Sequence, residues 1–81
     1  MNYETILLER RENVGVIKLN YPQKRNALGS KLIGELIEGL QELDRDPEVY
    51  VIVLMSNVPG VFCAGRDLSE GSSTSASDIV K

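Results

Sequence analysis

The sequence contains no histidine, and Cys63 is its single cysteine. The absence of histidine removes the commonest general base and the commonest metal ligand found in proteins. A single cysteine excludes an internal disulfide framework and is typical of proteins from a reducing compartment. The sequence therefore predicts neither a metal centre nor a disulfide-stabilised secreted domain.

An excess of basic residues and a long apolar run are also missing. The formal net charge is −3, and no stripe of lysine and arginine is present, which argues against nucleic acid as a partner. The longest apolar run is too short to span a bilayer. Residues 1–5 lack the basic and apolar pattern of a signal peptide. These absences predict a cytoplasmic protein with no membrane partner.

The sequence does contain enough apolar residues for one small domain. It has 81 residues, of which 42% are hydrophobic and 5% are aromatic, a composition typical of a globular protein. A chain of this length buries only about 60% of its unfolded surface. Its reserve of stability is therefore expected to be small unless something else covers it.

Two runs near the N-terminus predict a β-hairpin. Residues 3–10 and residues 14–19 both have the composition of strands, and the polar residues 11–13 between them form a short turn. Pro22 ends the extended segment. Residues 20–29 are therefore predicted to form a loop.

An amphipathic helix is predicted next, with Ser30 as its N-cap and Pro47 just beyond its end. Gly34 and Gly39 weaken this helix by roughly 1 kcal/mol each relative to alanine. They either allow close packing on a sheet or are simply tolerated. The apolar positions that follow the helical period are Leu32, Ile33, Leu36, Ile37, Leu40 and Leu43.

Residues 49–55 are almost entirely apolar, which predicts a third strand buried on both faces. Strand, helix and strand at this spacing form a right-handed βαβ crossover. One helix covers only one face of the sheet, so a second layer is missing. Residues 71–81 are rich in serine and predict a flexible loop or the start of a further element. We expect residues 1–70 to form the core and the chain to be part of a longer protein.

The stretch after the third strand combines a turn, small side chains and a charged pair. Pro59-Gly60 predicts a turn, and the small residues 63–65 allow the backbone to pass close to another group. Arg66-Asp67 is predicted to open a new helix, where the dipole favours the aspartate whatever the function. Such an arrangement presents backbone N–H groups to an anion or to a polarised carbonyl oxygen.

Three blocks of the sequence resemble the start of the enoyl-CoA hydratase/isomerase (crotonase) family. Residues 14–28 resemble its second strand and its N-x-P-x-K-x-N-A-L loop, and residues 30–49 resemble its first helix and D-P-x-V turn. Residues 62–68 resemble its F-x-A-G-x-D-L signature. Each motif alone is weakly specific, whereas three in order at fitting spacings are strongly so.

The resemblance implies an α/β fold, namely the N-terminal part of a crotonase-like ββα spiral in which an antiparallel hairpin precedes the crossover. It implies an enzyme of fatty acid metabolism that acts on acyl-CoA thioesters through an enolate held in an oxyanion hole. No cofactor is implied other than the coenzyme A of the substrate. The implied partners are the acyl-CoA substrate, the remainder of the fold on the same or a separate chain, and further copies in a trimer or hexamer.

The resemblance also implies a role for each residue of the matched motifs. The backbone N–H of Arg66 is one of two donors to the thioester oxygen, so the arginine side chain itself is not required. The second donor and the catalytic carboxylates are expected beyond residue 81, which leaves the reaction type open and predicts that this segment alone is inactive. The residues implied to contact the substrate or its coenzyme A are Lys24, Arg25, Asn26, Ala27, Leu28, Ala64, Gly65, Asp67 and Leu68.

Two features of these segments have an interpretation that does not involve substrate binding. Lys24 and Arg25 either attract the phosphates of coenzyme A or form a solvated basic turn. Cys63 is predicted to be a small packed residue rather than a nucleophile, because the sequence has no histidine to activate it.

Two other functions fit the same sequence. One is a stand-alone module that binds acyl-CoA without turning it over, which predicts coenzyme A binding by the 81 residues alone. The other is a partner-docking half-domain whose bare sheet face is the interface. That alternative predicts a partner that protects the third strand from hydrogen exchange without any dependence on coenzyme A.

Overall fold

The computed structural model of the protein describes residues 3–66. Within this range the elements are β1 (Ile6–Arg11), β2 (Val14–Leu19), a short 3₁₀ turn (Pro22–Lys24), α1 (Ser30–Asp44) and β3 (Val51–Ser56). The predictions for Asp67, Leu68 and residues 71–81 lie outside the described residues.

The predicted hairpin is confirmed. Strands β1 and β2 pair antiparallel, with Ile6 opposite Leu19 and Arg11 opposite Val14. The pairing begins later than predicted because the N–H groups just before β1 bond to a side chain of the helix, although the carbonyl of Thr5 still accepts from the N–H of Asn20 at 2.8 Å. The N–H groups of Glu4 and Thr5 both donate to Oε1 of Glu35, at 2.9 and 2.7 Å.

The predicted helix is confirmed, but the prediction of its N-cap was wrong by one residue. Gly29 is the N-cap, in extended conformation, and Ser30 is the first helical residue. The N–H of Ile33 donates to the carbonyl of Gly29 at 3.0 Å, which closes the first turn. Gly29 has no side chain to cap this end, so the N-cap residue contributes to the first turn through its carbonyl.

Strand β3 pairs parallel with β2, which gives a sheet of order β1-β2-β3 with α1 in the crossover. The strand begins at Val51 rather than at residue 49. Val49 is held in the preceding turn, because its N–H donates to the carbonyl of Asp46 at 3.1 Å. The N–H of Tyr50 already reaches across to the carbonyl of Asn13, the residue just before β2, at 2.8 Å.

The core lies between α1 and the β1–β2 hairpin. Its centre is a cluster of buried residues from both layers: Ile6, Ile17, Leu19, Leu32 and Leu43. A Cβ added to Gly39 would lie 3.0 Å from Cδ1 of Ile6, whereas one added to Gly34 would meet open space. Gly39 therefore allows the helix to approach the sheet closely, and Gly34 is simply tolerated.

The prediction that the third strand is buried on both faces is wrong for the described residues. Val51, Val53, Leu54 and Met55 are between 40% and 55% exposed. The physical reason is that α1 packs mainly on β1 and β2, so that Ile52 alone of the β3 side chains packs against the core cluster within the described residues. Ile33, Ile37 and Leu40 of α1 are also exposed, and this leaves an apolar surface on both layers.

Glu35 connects α1 to the chain before β1 and gives a prediction about pH. Its Oε1 accepts from the Thr5 hydroxyl at 2.8 Å as well as from the two backbone N–H groups. Partial burial opposes ionisation of this carboxyl, but the hydrogen bonds from Thr5 and Glu4 outweigh it and lower the pKa of Glu35 below its usual 4.5. The folded state therefore favours the ionised form.

We expect Glu35→Ala to reduce the free energy of unfolding by about 1–3 kcal/mol at pH 7, because Thr5 is buried and loses its acceptor. The contribution of the charge is complete above pH 4.5 and is lost as the pH falls through the lowered pKa. Urea unfolding at pH 7 and at successively lower pH measures both effects. Glu38→Ala, an exposed glutamate of the same helix, is the control and should change little. Equal losses in the two variants would contradict the role of Glu35.

Candidate functional site

Two segments that are far apart in sequence, residues 24–28 and residues 64–66, lie side by side. Leu28 and Arg66 form an isolated parallel bridge, in which the N–H of Leu28 donates to the carbonyl of Gly65 at 2.6 Å. The N–H of Ala64 donates to the carbonyl of Arg25 at 3.0 Å. The structure therefore brings together the two groups of residues that the sequence predicted for one site.

The backbone of Arg66 is extended beside Leu28, so the prediction that Arg66 opens a helix does not describe this residue. In a parallel bridge one residue uses both of its polar backbone groups toward the partner, and the residue opposite directs its own N–H away. Here Leu28 is the residue whose polar backbone groups face the partner segment, because its N–H donates to Gly65. Arg66 is the residue opposite, and its N–H is directed away from Leu28. Among residues 3–66 no acceptor is recorded for the Arg66 N–H.

Gly65 shapes the turn that precedes this N–H. Its φ is +92°, a backbone conformation that side chains rarely adopt, although a Cβ at this position would meet nothing within 4 Å. The constraint is therefore on the backbone torsion and not on space. Gly65 therefore contributes backbone freedom to this turn.

Asn26 lies at the centre of the two segments and is fully buried. Its Nδ2 donates to the carbonyl of Phe62 at 2.9 Å and to Oγ of Ser56 at 3.0 Å. Its Oδ1 accepts from the N–H of Tyr21 at 2.7 Å. Since the side chain is buried and both amide hydrogens are in use, it connects parts of the chain instead of presenting itself to a ligand.

The other residues predicted in the 24–28 segment divide by exposure. Lys24 and Arg25 are exposed, Leu28 is half-buried, and Ala27 is buried with its N–H donated to the carbonyl of Lys24. Ala64 is exposed beside them. Three cationic residues, Lys24, Arg25 and Arg66, thus lie on two paired segments.

Cys63 makes structural contacts. Its Sγ donates to the carbonyl of Asn26 at 3.2 Å and accepts from the N–H of Gly65 at 3.4 Å. These bonds hold the thiol inside the turn, as expected for a small packed residue.

Ser56 belongs to the site but was not singled out from the sequence. Its Oγ accepts from Asn26 and from the N–H of Val58 at 3.0 Å, and donates to the carbonyl of Val61 at 2.5 Å. No signal in the sequence distinguishes this serine, which ends the apolar strand three residues before Pro59.

Other kinds of site find little support in residues 3–66. No group of three or more potential metal ligands is present within that range. No helix in the same range is long and apolar enough to cross a membrane. A groove elsewhere on the surface contains none of the predicted site residues; it is lined by Leu8, Glu9, Arg10, Glu42, Leu43 and Asp46.

Comparison with known sequences gives consistent matches. A family model described as Enoyl-CoA hydratase/isomerase matches residues 9–80. The chain is 44% identical over 78 residues to a protein of Mycobacterium leprae named "Probable enoyl-CoA hydratase", covering 96% of this chain and 30% of that protein. It is 36% identical over 73 residues to the human mitochondrial methylglutaconyl-CoA hydratase, covering 90% of this chain and 22% of that protein.

Comparison with solved structures agrees. The described fold is similar to an enoyl-CoA hydratase from Mycobacterium tuberculosis, with a TM-score of 0.78 and 33% identity over 89% of this chain and 32% of the other. It is also similar to a methylmalonyl-CoA decarboxylase, with a TM-score of 0.82 and 35% identity over 96% of this chain and 30% of the other. The chain thus spans about a third or less of the length of these relatives.

Proposed function

The chain belongs to the enoyl-CoA hydratase/isomerase family and has the α/β fold of the N-terminal part of a crotonase-like spiral, and from this we propose that it supplies half of the oxyanion hole of an enzyme acting on acyl-CoA thioesters. The bridge between Leu28 and Arg66 is the observation that carries the proposal. It joins the two motif segments and leaves the Arg66 N–H directed away from its neighbour.

The proposed chemistry follows from where negative charge develops. When a thioester becomes an enolate or enolate-like species, its carbonyl oxygen gains negative charge, and fixed donors aimed at that oxygen lower the barrier. The Arg66 N–H is the proposed donor from this chain. A backbone donor held between a glycine turn and a bridge needs no reorganisation during the reaction. The second donor and the acid–base groups are proposed to come from the remainder of the fold.

The neighbouring residues are proposed to hold the rest of the substrate. Lys24 and Arg25 are proposed to attract the phosphates of coenzyme A. The exposed Ala64, whose N–H bonds to the carbonyl of Arg25, is proposed to contact the chain that links those phosphates to the thioester. Leu28 and Gly65 contribute through the backbone that forms the bridge. Asp67 and Leu68 belong to the proposed site by the motif alone.

The exposed apolar surface supports the proposal that a further part of the fold covers this segment. Both faces of β3 and one side of α1 present large apolar side chains, and the relatives are about three times longer or more. A covering portion from the same or a separate chain would bury this surface. A cytoplasmic location and a trimeric or hexameric assembly are further parts of the proposal.

A fusion protein tests the proposal with the full chain in place. The 81 residues are joined to the part of the M. leprae relative that follows its matched segment. We expect this fusion to hydrate an enoyl-CoA, which is measured as the loss of absorbance of the conjugated enoyl thioester. The 81 residues alone are expected to show no turnover. A folded fusion that binds coenzyme A without turnover would favour the binding-module alternative, and one that neither binds nor reacts would contradict the proposal.

A further inference from the structure

We infer that Asn26 is a positioning residue for the proposed oxyanion donor: it holds the 62–66 segment in the place from which the Arg66 N–H reaches the substrate. This inference rests on the proposed function and deepens it. The sequence motif suggested a ligand contact for Asn26, whereas its burial and its three side-chain hydrogen bonds assign it to the support of another residue.

The orientation of the Asn26 amide is fixed by what surrounds it. Tyr21 offers an N–H, which requires an acceptor, and Phe62 offers a carbonyl, which requires a donor. Only one orientation of the amide satisfies both, with Oδ1 toward Tyr21 and Nδ2 toward Phe62. The Asn26 side chain therefore bonds at the same time to the loop before it, at Tyr21, and to the turn after β3, at Phe62.

The bond to Phe62 is the first of a continuous series. Each residue from 62 to 65 makes a hydrogen bond to the 25–28 segment. The carbonyl of Phe62 accepts from the Asn26 side chain, and the Cys63 thiol donates to the Asn26 carbonyl. Further along, the Ala64 N–H donates to the carbonyl of Arg25, and the Gly65 carbonyl accepts from Leu28. Arg66 is the next residue, so its place is set by this series.

Ser56 extends the same support to the sheet. It is the last residue of β3, and its hydroxyl bonds to Asn26 on one side and to Val58 and Val61 in the turn on the other. Asn26 is thereby linked through Ser56 to the end of a strand that is paired along its whole length with β2. The Arg66 N–H is thus held relative to the sheet and not only to a loop.

Asparagine suits this position for two reasons. Its φ is +56°, in the left-handed region that asparagine tolerates better than most side chains. It also supplies two donors and an acceptor from one short side chain. Aspartate has the same shape but no donor, so Asn26→Asp removes the bond to the Phe62 carbonyl and places a carboxylate oxygen against it. The Ser56 hydroxyl no longer receives a hydrogen bond from residue 26.

We expect Asn26→Asp in the fusion protein to lower kcat by about 10- to 100-fold while the Kd of free coenzyme A changes less than about threefold. The matched control is Asn57→Asp, since Asn57 is an exposed asparagine whose side chain bonds only to Asn20 among the described residues. The decisive measurement is a double-mutant cycle with Arg66→Pro, which removes the N–H that Asn26 is inferred to position.

If Asn26 acts through the Arg66 N–H, its substitution should lower kcat little further in the Arg66→Pro background. The same fold loss in both backgrounds, or no loss in either, would overturn the inference. If Arg66→Pro itself leaves kcat equal to that of Arg66→Ala, the proposed function fails instead, and the two failures are distinguished. Should Asn26→Asp not fold, Ser56→Ala, which removes one acceptor of the Asn26 amide, takes its place in the same cycle and decides by the same criteria.

Discussion

Arg66→Pro is expected to lower kcat of the fusion protein about 10²- to 10³-fold relative to Arg66→Ala. Proline has no backbone N–H, whereas alanine keeps the N–H and loses only the side chain. One donor of an oxyanion hole contributes about 2.7–4 kcal/mol to stabilisation of the transition state. Comparison of the two variants therefore isolates the backbone donor from the guanidinium group, and steady-state kinetics with an enoyl-CoA measures it.

The control for this comparison is a test that the proline and alanine variants are both folded and still bind coenzyme A. The Kd of free coenzyme A and the urea midpoint should agree between the proline and alanine variants, because neither substitution touches the bonds from Leu28 or Ala64 to the chain. Equal kcat values for two folded variants would show that the N–H of residue 66 plays no part in the reaction.

Leu32→Ala is expected to reduce the free energy of unfolding of the 81-residue chain by about 2–5 kcal/mol. Leu32 is 0% exposed and lies within the core cluster, so its truncation leaves a cavity between the helix and the hairpin. A domain of this length is expected to have only about 4–12 kcal/mol of stability in total. The substitution therefore removes a large part of it, as measured by urea unfolding.

Leu40→Ala is the matched control, because it is the same substitution on the same helix at a residue that is 39% exposed. We expect it to cost less than about 1 kcal/mol in the 81-residue chain, since less apolar surface is buried there. In the fusion protein the cost should increase if the added portion covers this side of α1. Equal costs for Leu32 and Leu40 in the short chain would contradict the described core.

The hairpin and the helix could be predicted from the sequence because their signals are local. The apolar spacing along Ser30–Asp44 and the two short runs around residues 11–13 indicate their own structure. The ends of the elements depend on distant partners and were less accurate. Strand β1 begins late because Glu35, thirty residues further on, bonds to the N–H of Thr5.

The burial of β3 could not be predicted from its composition alone. An apolar run indicates that a strand is suited to burial, but it does not indicate which layer of the protein covers the strand. Val51 to Met55 have that composition, yet within the described residues the single helix lies over the other two strands. The sequence did predict that one helix is too little for this sheet, and the exposed side chains agree with that.

Some residues of the candidate site could be identified from the sequence, and others could not. The motif identified Arg66 and the 24–28 segment, and the structure places them together. The function of Asn26 could not be read from the motif, because its partners Ser56 and Phe62 lie 30 and 36 residues away. Ser56 carries no motif and becomes visible only through its hydrogen bonds.

The most direct test of the account is whether the Arg66 N–H donates to the thioester oxygen. In the fusion protein labelled with ¹⁵N-arginine, the Arg66 signal is identified by its loss in Arg66→Ala. On addition of a saturated acyl-CoA, which cannot be hydrated, we expect the Arg66 amide proton to move downfield, and to move far less with free coenzyme A. The same movement with both ligands, or none with either, would contradict the proposed hydrogen bond.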